Sequence, residues 1–160
     1  MNWVKSIFVV LFFSIASVQA VWAAEPINTL ERSGVFGYKP SGVAIRGFDT
    51  VAYFTESKAV KGDASISTQW NGATWHFSKQ EHLDLFEADP EKYAPQYGGY
   101  CAYGVAVDSL VKIEGDLWDI VDDKLYLNFN KKLQKKWRGS IPSYIQLADS
   151  KFDNLLKTEP

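Results

Sequence analysis

Three side chains in this sequence have the chemistry to hold a soft metal ion: Cys101, His76 and His82. Copper and zinc both accept thiolate and imidazole ligands, and the chain has one cysteine, two histidines and a single methionine, Met1. His76 is expected on a strand and His82 in the helix that follows. A turn therefore separates them, and the rings either converge or leave His82 on an exposed helix flank. No Cys-x-x-Cys, His-x-x-x-His or methionine cluster accompanies them. Cys101, being alone, cannot make an internal disulfide. It is a free thiol, an intermolecular partner, a metal ligand, or a buried residue acting as a small apolar side chain. Paired with a histidine and an orienting acid it would be a nucleophile. The sequence has no Gly-x-Ser-x-Gly elbow, phosphate loop or zinc-protease helix to support such chemistry, and the reading is of a non-enzymatic protein.

Other chemistry-bearing residues have structural explanations. Glu87, Asp89 and Glu91 form an acidic cluster of the kind a helix N-terminus attracts. Tyr93, Tyr97, Tyr100 and Tyr103 make a helical stripe only if the intervening glycines are ignored, so they are read as aromatic packing against a sheet. Lys131, Lys132, Lys135, Lys136 and Arg138 form the one basic cluster, read as a solvated helix face. Without a basic stripe, nucleic acid is not an expected partner. A metal ion, a small ligand or a protein remain as partner classes.

The elements that must position these residues follow from local patterns. Asp49 caps a short helical turn through Phe54. Ile66 to Phe77 reads as a β-hairpin about Asn71-Gly72, since both central positions of a type I′ turn need positive φ. Ser78-Lys79-Gln80-Glu81 reads as a capping box that starts a helix, and Asp89-Pro90 starts a shorter one. Gly98-Gly99 breaks the pattern, and Tyr100 to Val107 is open between strand and short helix. Gly115-Asp116 is read as a turn, Leu117 to Val121 as a strand, Asp122-Asp123 as a turn and Lys124 to Phe129 as a second strand. Asn130 caps a helix that Gly139 ends, and Pro142 starts the last helix.

The chain has 160 residues and a formal net charge of −2, enough for one domain with a core. Lys5, the apolar run Ile7 to Ala16 and the small-x-small pattern Val21-Trp22-Ala23 read as a signal peptide over 1–23, with a second cleavage pattern at Val18-Gln19-Ala20. The apolar run is shorter than a membrane span needs, so no stable anchor is expected after cleavage, and the expected location is periplasmic or secreted. Residues 24–41 read as an irregular leader over the surface. Residues 42–107 and the hairpin-plus-helix segment 108–160 read as one packed domain. Phe77 with Phe129, and Pro90 with Pro142, suggest a repeat displaced by 52 residues, with convergent hairpin-cap-helix grammar as the alternative. The expected class is α+β: a small antiparallel sheet from two β-hairpins with helices on one side.

Trp70-Asn71-Gly72-Ala73-Thr74-Trp75-His76-Phe77-Ser78, Phe86 to Tyr93 and Asp49 to Phe54 resemble the YHS domain. Gly98-Gly99-Tyr100-Cys101-Ala102-Tyr103 resembles a signature of the exported bacterial members, and the resemblance covers about Val43 to Ala106. It implies a treble-clef-like core and an association with heavy metals such as copper. In the metal-associated members a cysteine follows the Asp-x-Val start and a Cys-x-x-x-Cys pair follows the hairpin. The matching positions here are Ala52, Ser78 and His82. The resemblance thus leaves His82, with Cys101 from outside that pattern, as the residues for a soft metal. The alternative is a structural or protein-interaction module with no metal, and a thiol-dependent enzyme stands behind both.

Overall fold

The computed structural model describes residues 24–35 and 37–158. The expected signal segment, 1–23, lies outside them. The class is α+β, but the strands do not join into one sheet. Three separate antiparallel pairs are present among the described residues: β1 (Leu30–Ser33) with β2 (Gly37–Pro40), β3 (Asp63–Trp70) with β4 (Ala73–Phe77), and β5 (Glu114–Val121) with β6 (Lys124–Asn128). The helices are α1 (Thr50–Thr55), α2 (Gln80–Ala88), α3 (Pro90–Tyr93), α4 (Ala102–Ala106), α5 (Lys131–Gly139) and α6 (Ile141–Thr158). None of them is long and apolar enough to cross a membrane.

Several local expectations hold, each for its stated reason. Asn71 and Gly72 both take positive φ in the β3–β4 turn, as do Asp122 and Asp123 in the β5–β6 turn. Asp49, Asp89 and Asn130 accept helix N–H groups as caps. Three expectations need correction. The stretch read as an irregular leader holds the β1–β2 hairpin, and Ile27, Asn28 and Thr29 are buried. Gly115 lies inside β5 rather than in a turn, and the glycine there serves packing, since the ring of Phe48 stands where a Cβ would be. Ser78 does not cap α2: the N-cap position is Lys79, without a side-chain bond, and the Ser78 hydroxyl is used elsewhere.

The repeat is more extensive than Phe77/Phe129 and Pro90/Pro142 suggested, and its registers differ. Displacing β3, β4 and α2 by 51 residues gives the bounds of β5, β6 and α5. Even the bulge recurs, between Asp63 and Ser67 in one hairpin and between Glu114 and Trp118 in the other. Upstream, the shift is 52. The 3-10 turn Ala44–Gly47 and its positive-φ residues Ile45 and Arg46 recur as Gln96–Gly99 with Tyr97 and Gly98. The N-cap Asp49 of α1 recurs as the N-cap Cys101 of α4. Packing follows the same rule: α1 lies on α2 and α3, and α4 lies on α5 and α6. Trp75 stacks obliquely on Phe86 with ring centroids 4.8 Å apart, and their counterparts Tyr126 and Trp137 do so at 5.2 Å.

Each unit thus has its own core. Ile45, Tyr53, Trp75, Phe77 and Phe86 anchor the first, which also takes in Leu125 and Leu127. Tyr97, Val105, Tyr126, Trp137 and Ala148 anchor the second. At about 25 cal/mol per Å² of apolar surface buried, such aromatic clusters dominate the stability of a domain of this size. The units are joined where the Tyr53 hydroxyl donates to the Gly115 carbonyl at 2.9 Å and where Arg46 meets Glu114 at 2.6 Å.

Candidate functional site

The structure builds a polar centre around Asp49, which the sequence marks only as a helix cap. Its carboxylate is fully buried and collects five donors. Oδ1 accepts from the backbone N–H of Val51 (3.0 Å) and Ala52 (3.3 Å), the groups the first turn of α1 leaves without helical partners. Oδ2 accepts from the Ser78 N–H (2.8 Å), the Ser78 hydroxyl (2.6 Å) and His82 Nδ1 (2.7 Å). The three backbone N–H groups can only donate, and the Ser78 hydroxyl and His82 Nδ1 complete the shell around the carboxylate. The other ring nitrogen, Nε2, lies 3.0 Å from the hydroxyl of Thr55 and 3.7 Å from Glu56 Oε1. His82 is 1 % exposed while Thr55 is exposed. One carboxylate therefore ties together the start of α1, the β4–α2 junction and the body of α2, with His82 relaying the network to the surface. Charge-assisted bonds of this kind are the strong ones, and they fix geometry as well as adding energy.

Cys101 occupies the matching place in the second unit. It is 0 % exposed and caps α4, its Sγ accepting from the Gly104 N–H at 3.4 Å. The thiol donates to Asn128 Oδ1 at 3.6 Å. Burial pushes its pKa up, against the partial pull of the Gly104, Phe129 and Tyr103 N–H groups, so the thiol is protonated at neutral pH. The positions that correspond to Ser78 and His82 are Phe129 and Leu133. The second centre has thus lost the two side chains that surround Asp49 in the first.

His76 stands half-buried on β4, between the buried Trp75 and Phe77. The side-chain bonds of His82 go to Asp49 and Thr55, those of Cys101 to Asn128 and Gly104. Cys101, His82 and His76 therefore have separate surroundings, and among the described residues no three His, Cys, Asp or Glu side chains converge as a metal-holding group. The remaining candidates resolve as packing. Asp89 caps α3, and Glu87 accepts from Thr68. Tyr97 packs on Tyr126 and Phe152, and Tyr103 on Tyr144. The lysines of α5 face solvent.

Sequence reasoning missed Asn128, whose signal is the run Leu125-Tyr126-Leu127-Asn128: a strand without polar alternation is buried on both faces. It also missed an apolar groove of about 250 Å³ lined by Leu30, Tyr38, Leu110, Val111, Lys112 and Phe129. The Lys112 ammonium stands 4.1 Å from the centre of the Tyr38 ring and 4.7 Å from that of Phe129, and it bonds Glu114 at 2.8 Å. The groove draws on β1, β2 and the segments on either side of the second hairpin, so it exists only when the leader hairpin is docked.

The family model of the YHS domain matches residues 51–97. Comparison with curated proteins and with solved structures gave no match. The matched stretch contains His76, Ser78 and His82 but neither Asp49 nor Cys101.

Proposed function

The chain carries a YHS domain over residues 51–97, and on that premise we propose that it is an exported, non-enzymatic binding module that takes a small ligand. The groove beside Lys112 is the observation that carries this reading. It combines apolar side chains with one cation, the mix that small-molecule sites use to gain affinity and to orient a ligand. Its volume lies just under the roughly 300–1,000 Å³ of pockets for drug-sized ligands, which limits the occupant to a small molecule with an apolar body. The single charged lining residue, Lys112, favours an acidic group on that body.

The fluorescent anion anilinonaphthalene sulfonate is a suitable probe. Saturable binding by the wild type, lost in Leu110→Trp and weakened several-fold in Lys112→Met, supports the groove. No binding, or equal binding by all three proteins, overturns it. In this reading Cys101 and His82 serve the fold rather than a soft metal. What supports that is their burial and their separate hydrogen-bond partners. Titration with Cu(I) and Zn(II) tests it: binding that disappears in both Cys101→Ala and His82→Ala would establish the metal reading instead.

A further inference from the structure

The geometry points to Cys101 as an oxidation site: the second unit is shaped to hold the sulfinate of this residue where the first unit holds the carboxylate of Asp49. A sulfinate and a carboxylate both carry one negative charge on two oxygens at the end of a one-carbon stem. The donors that receive the Asp49 carboxylate from the backbone are the N–H groups of Val51, Ala52 and Ser78. Their counterparts across the repeat are Tyr103, Gly104 and Phe129: the Gly104 N–H bonds the Cys101 sulfur at 3.4 Å, the Tyr103 N–H bonds Asn128 Oδ1 beside it, and all three lie close enough to draw down the thiol pKa.

A second observation is independent of the repeat. Asn128 is 0 % exposed, its Oδ1 lies 3.6 Å from Sγ, and its Nδ2 has no hydrogen-bond partner. A buried amide donor left unsatisfied costs about 1–3 kcal/mol, and native proteins rarely leave one without a reason. With the thiol reduced, only the acceptor end of this amide is used. Oδ1 already accepts from both the thiol and the Tyr103 N–H, and an oxygen added to the sulfur is the acceptor assigned to the amide's donor end. Asn128 thereby replaces the Ser78 hydroxyl and the His82 ring, whose counterparts Phe129 and Leu133 have nothing to donate.

The chemistry requires a peroxide and nothing else. In the first step sulfur attacks one oxygen of hydrogen peroxide, the O–O bond breaks, and the products are a sulfenic acid and water. A second peroxide transfers another oxygen in the same way, giving a sulfinic acid and a second water, and the sulfinic acid releases its proton to leave the anion. Burial keeps the thiol protonated, so the cradle acts on the product rather than activating the nucleophile, and the reaction is slow. The approach is short: Val111 and Phe129, whose backbone groups bond Cys101, are also walls of the groove.

The purified protein is treated with hydrogen peroxide and examined by peptide mass mapping and thermal melting. Only one methionine, Met1, competes for oxidant. The expected result is a gain of two oxygen atoms on Cys101, stopping there, with a melting midpoint at or above that of the reduced protein. A thiol untouched in the folded protein, progression to the three-oxygen sulfonate, or oxidation with loss of the fold would each overturn the assignment. Cys101→Asp and Cys101→Asn test the cradle without peroxide. The aspartate variant is expected to melt above its neutral near-isostere, and the reverse order refutes an anion cradle. If neither variant folds, the peroxide experiment decides.

Discussion

Replacing Asp49 by alanine strands a set of donors whose cost is countable. The helix loses its cap, worth about 1 kcal/mol. The half-buried Ser78 N–H is left without an acceptor, at up to about 1–3 kcal/mol. His82 escapes part of the penalty, because a neutral imidazole can move its proton to Nε2 and donate to Thr55 or Glu56. The Ser78 hydroxyl can rotate. The remainder is the lost charge-assisted bond between Asp49 and His82, about 1.5–3 kcal/mol, so the total is about 3.5–7 kcal/mol. That is a large share of the roughly 5–15 kcal/mol that holds an ordinary domain together. Asp49→Asn keeps an acceptor for the cap and opposes a donor to the Ser78 N–H, so about 1–3 kcal/mol is expected. Asp89→Ala supplies the control. Asp89 is exposed and caps only Lys92, so its loss should cost about 1 kcal/mol or less. Urea unfolding followed by tryptophan fluorescence measures all three. Equal costs for Asp49→Ala and Asp89→Ala would refute the idea that Asp49 is more than a cap.

Two further outcomes follow from positions described above. Gly98 takes φ +58°, and a Cβ there would collide with the carbonyl oxygen of Pro26, whereas Gly42 takes φ +76° facing open space. Gly98→Ala should therefore cost clearly more than the roughly 1–2 kcal/mol of the left-handed backbone alone, and Gly42→Ala about that amount; similar urea midpoints would contradict the clash. Burial raises the pKa of Tyr53 and of Tyr97 above the titration range of free tyrosine, raises that of Tyr126 to about 12, and raises that of Cys101. Groups with folded pKa values above their unfolded ones stabilise fully below the unfolded pKa, and that contribution is lost as pH rises through the folded value. The midpoint should hold through neutral pH and fall above about pH 9–10, where free thiols and phenols ionise. A midpoint unchanged to the strongly alkaline end would contradict the burial of these groups.

The hairpins, the caps and the helix starts were legible because each is a local bargain: Asn71-Gly72 for a turn, Asp89-Pro90 for a start, Asn130 for a cap. What was not legible depends on contacts distant in sequence. Ser78 has the right neighbours for a capping box, yet its hydroxyl is claimed by Asp49, twenty-nine residues away. The leader forms a hairpin because Asn28 bonds Gly99 and the Gly98 carbonyl. The 52-residue spacing aligned Phe77 with Phe129, but the capped helix, α4, is one residue shorter than its counterpart α1, which brings the second hairpin one residue nearer its cap. In the structure Phe77 corresponds to Asn128. A slip of one residue exchanges the two faces of a strand, and here it hid a buried amide behind an apolar match. Of the proposed ligands, burial of Cys101 is an option that composition suggested, whereas the commitment of His82 to Asp49 has no signature in either residue's neighbourhood.

The Ala24 N–H donates to the Leu156 carbonyl at 3.1 Å, in the last turn of α6. The described chain is therefore nearly a closed ring, its two ends fastened to each other across one helix terminus. Joining them by a short linker and reopening the ring at the Asp122-Asp123 turn would leave both aromatic cores and both caps intact, since no core residue lies at either scar. Where along the repeat the chain begins is then a matter of where translation starts, not of how the protein is held together.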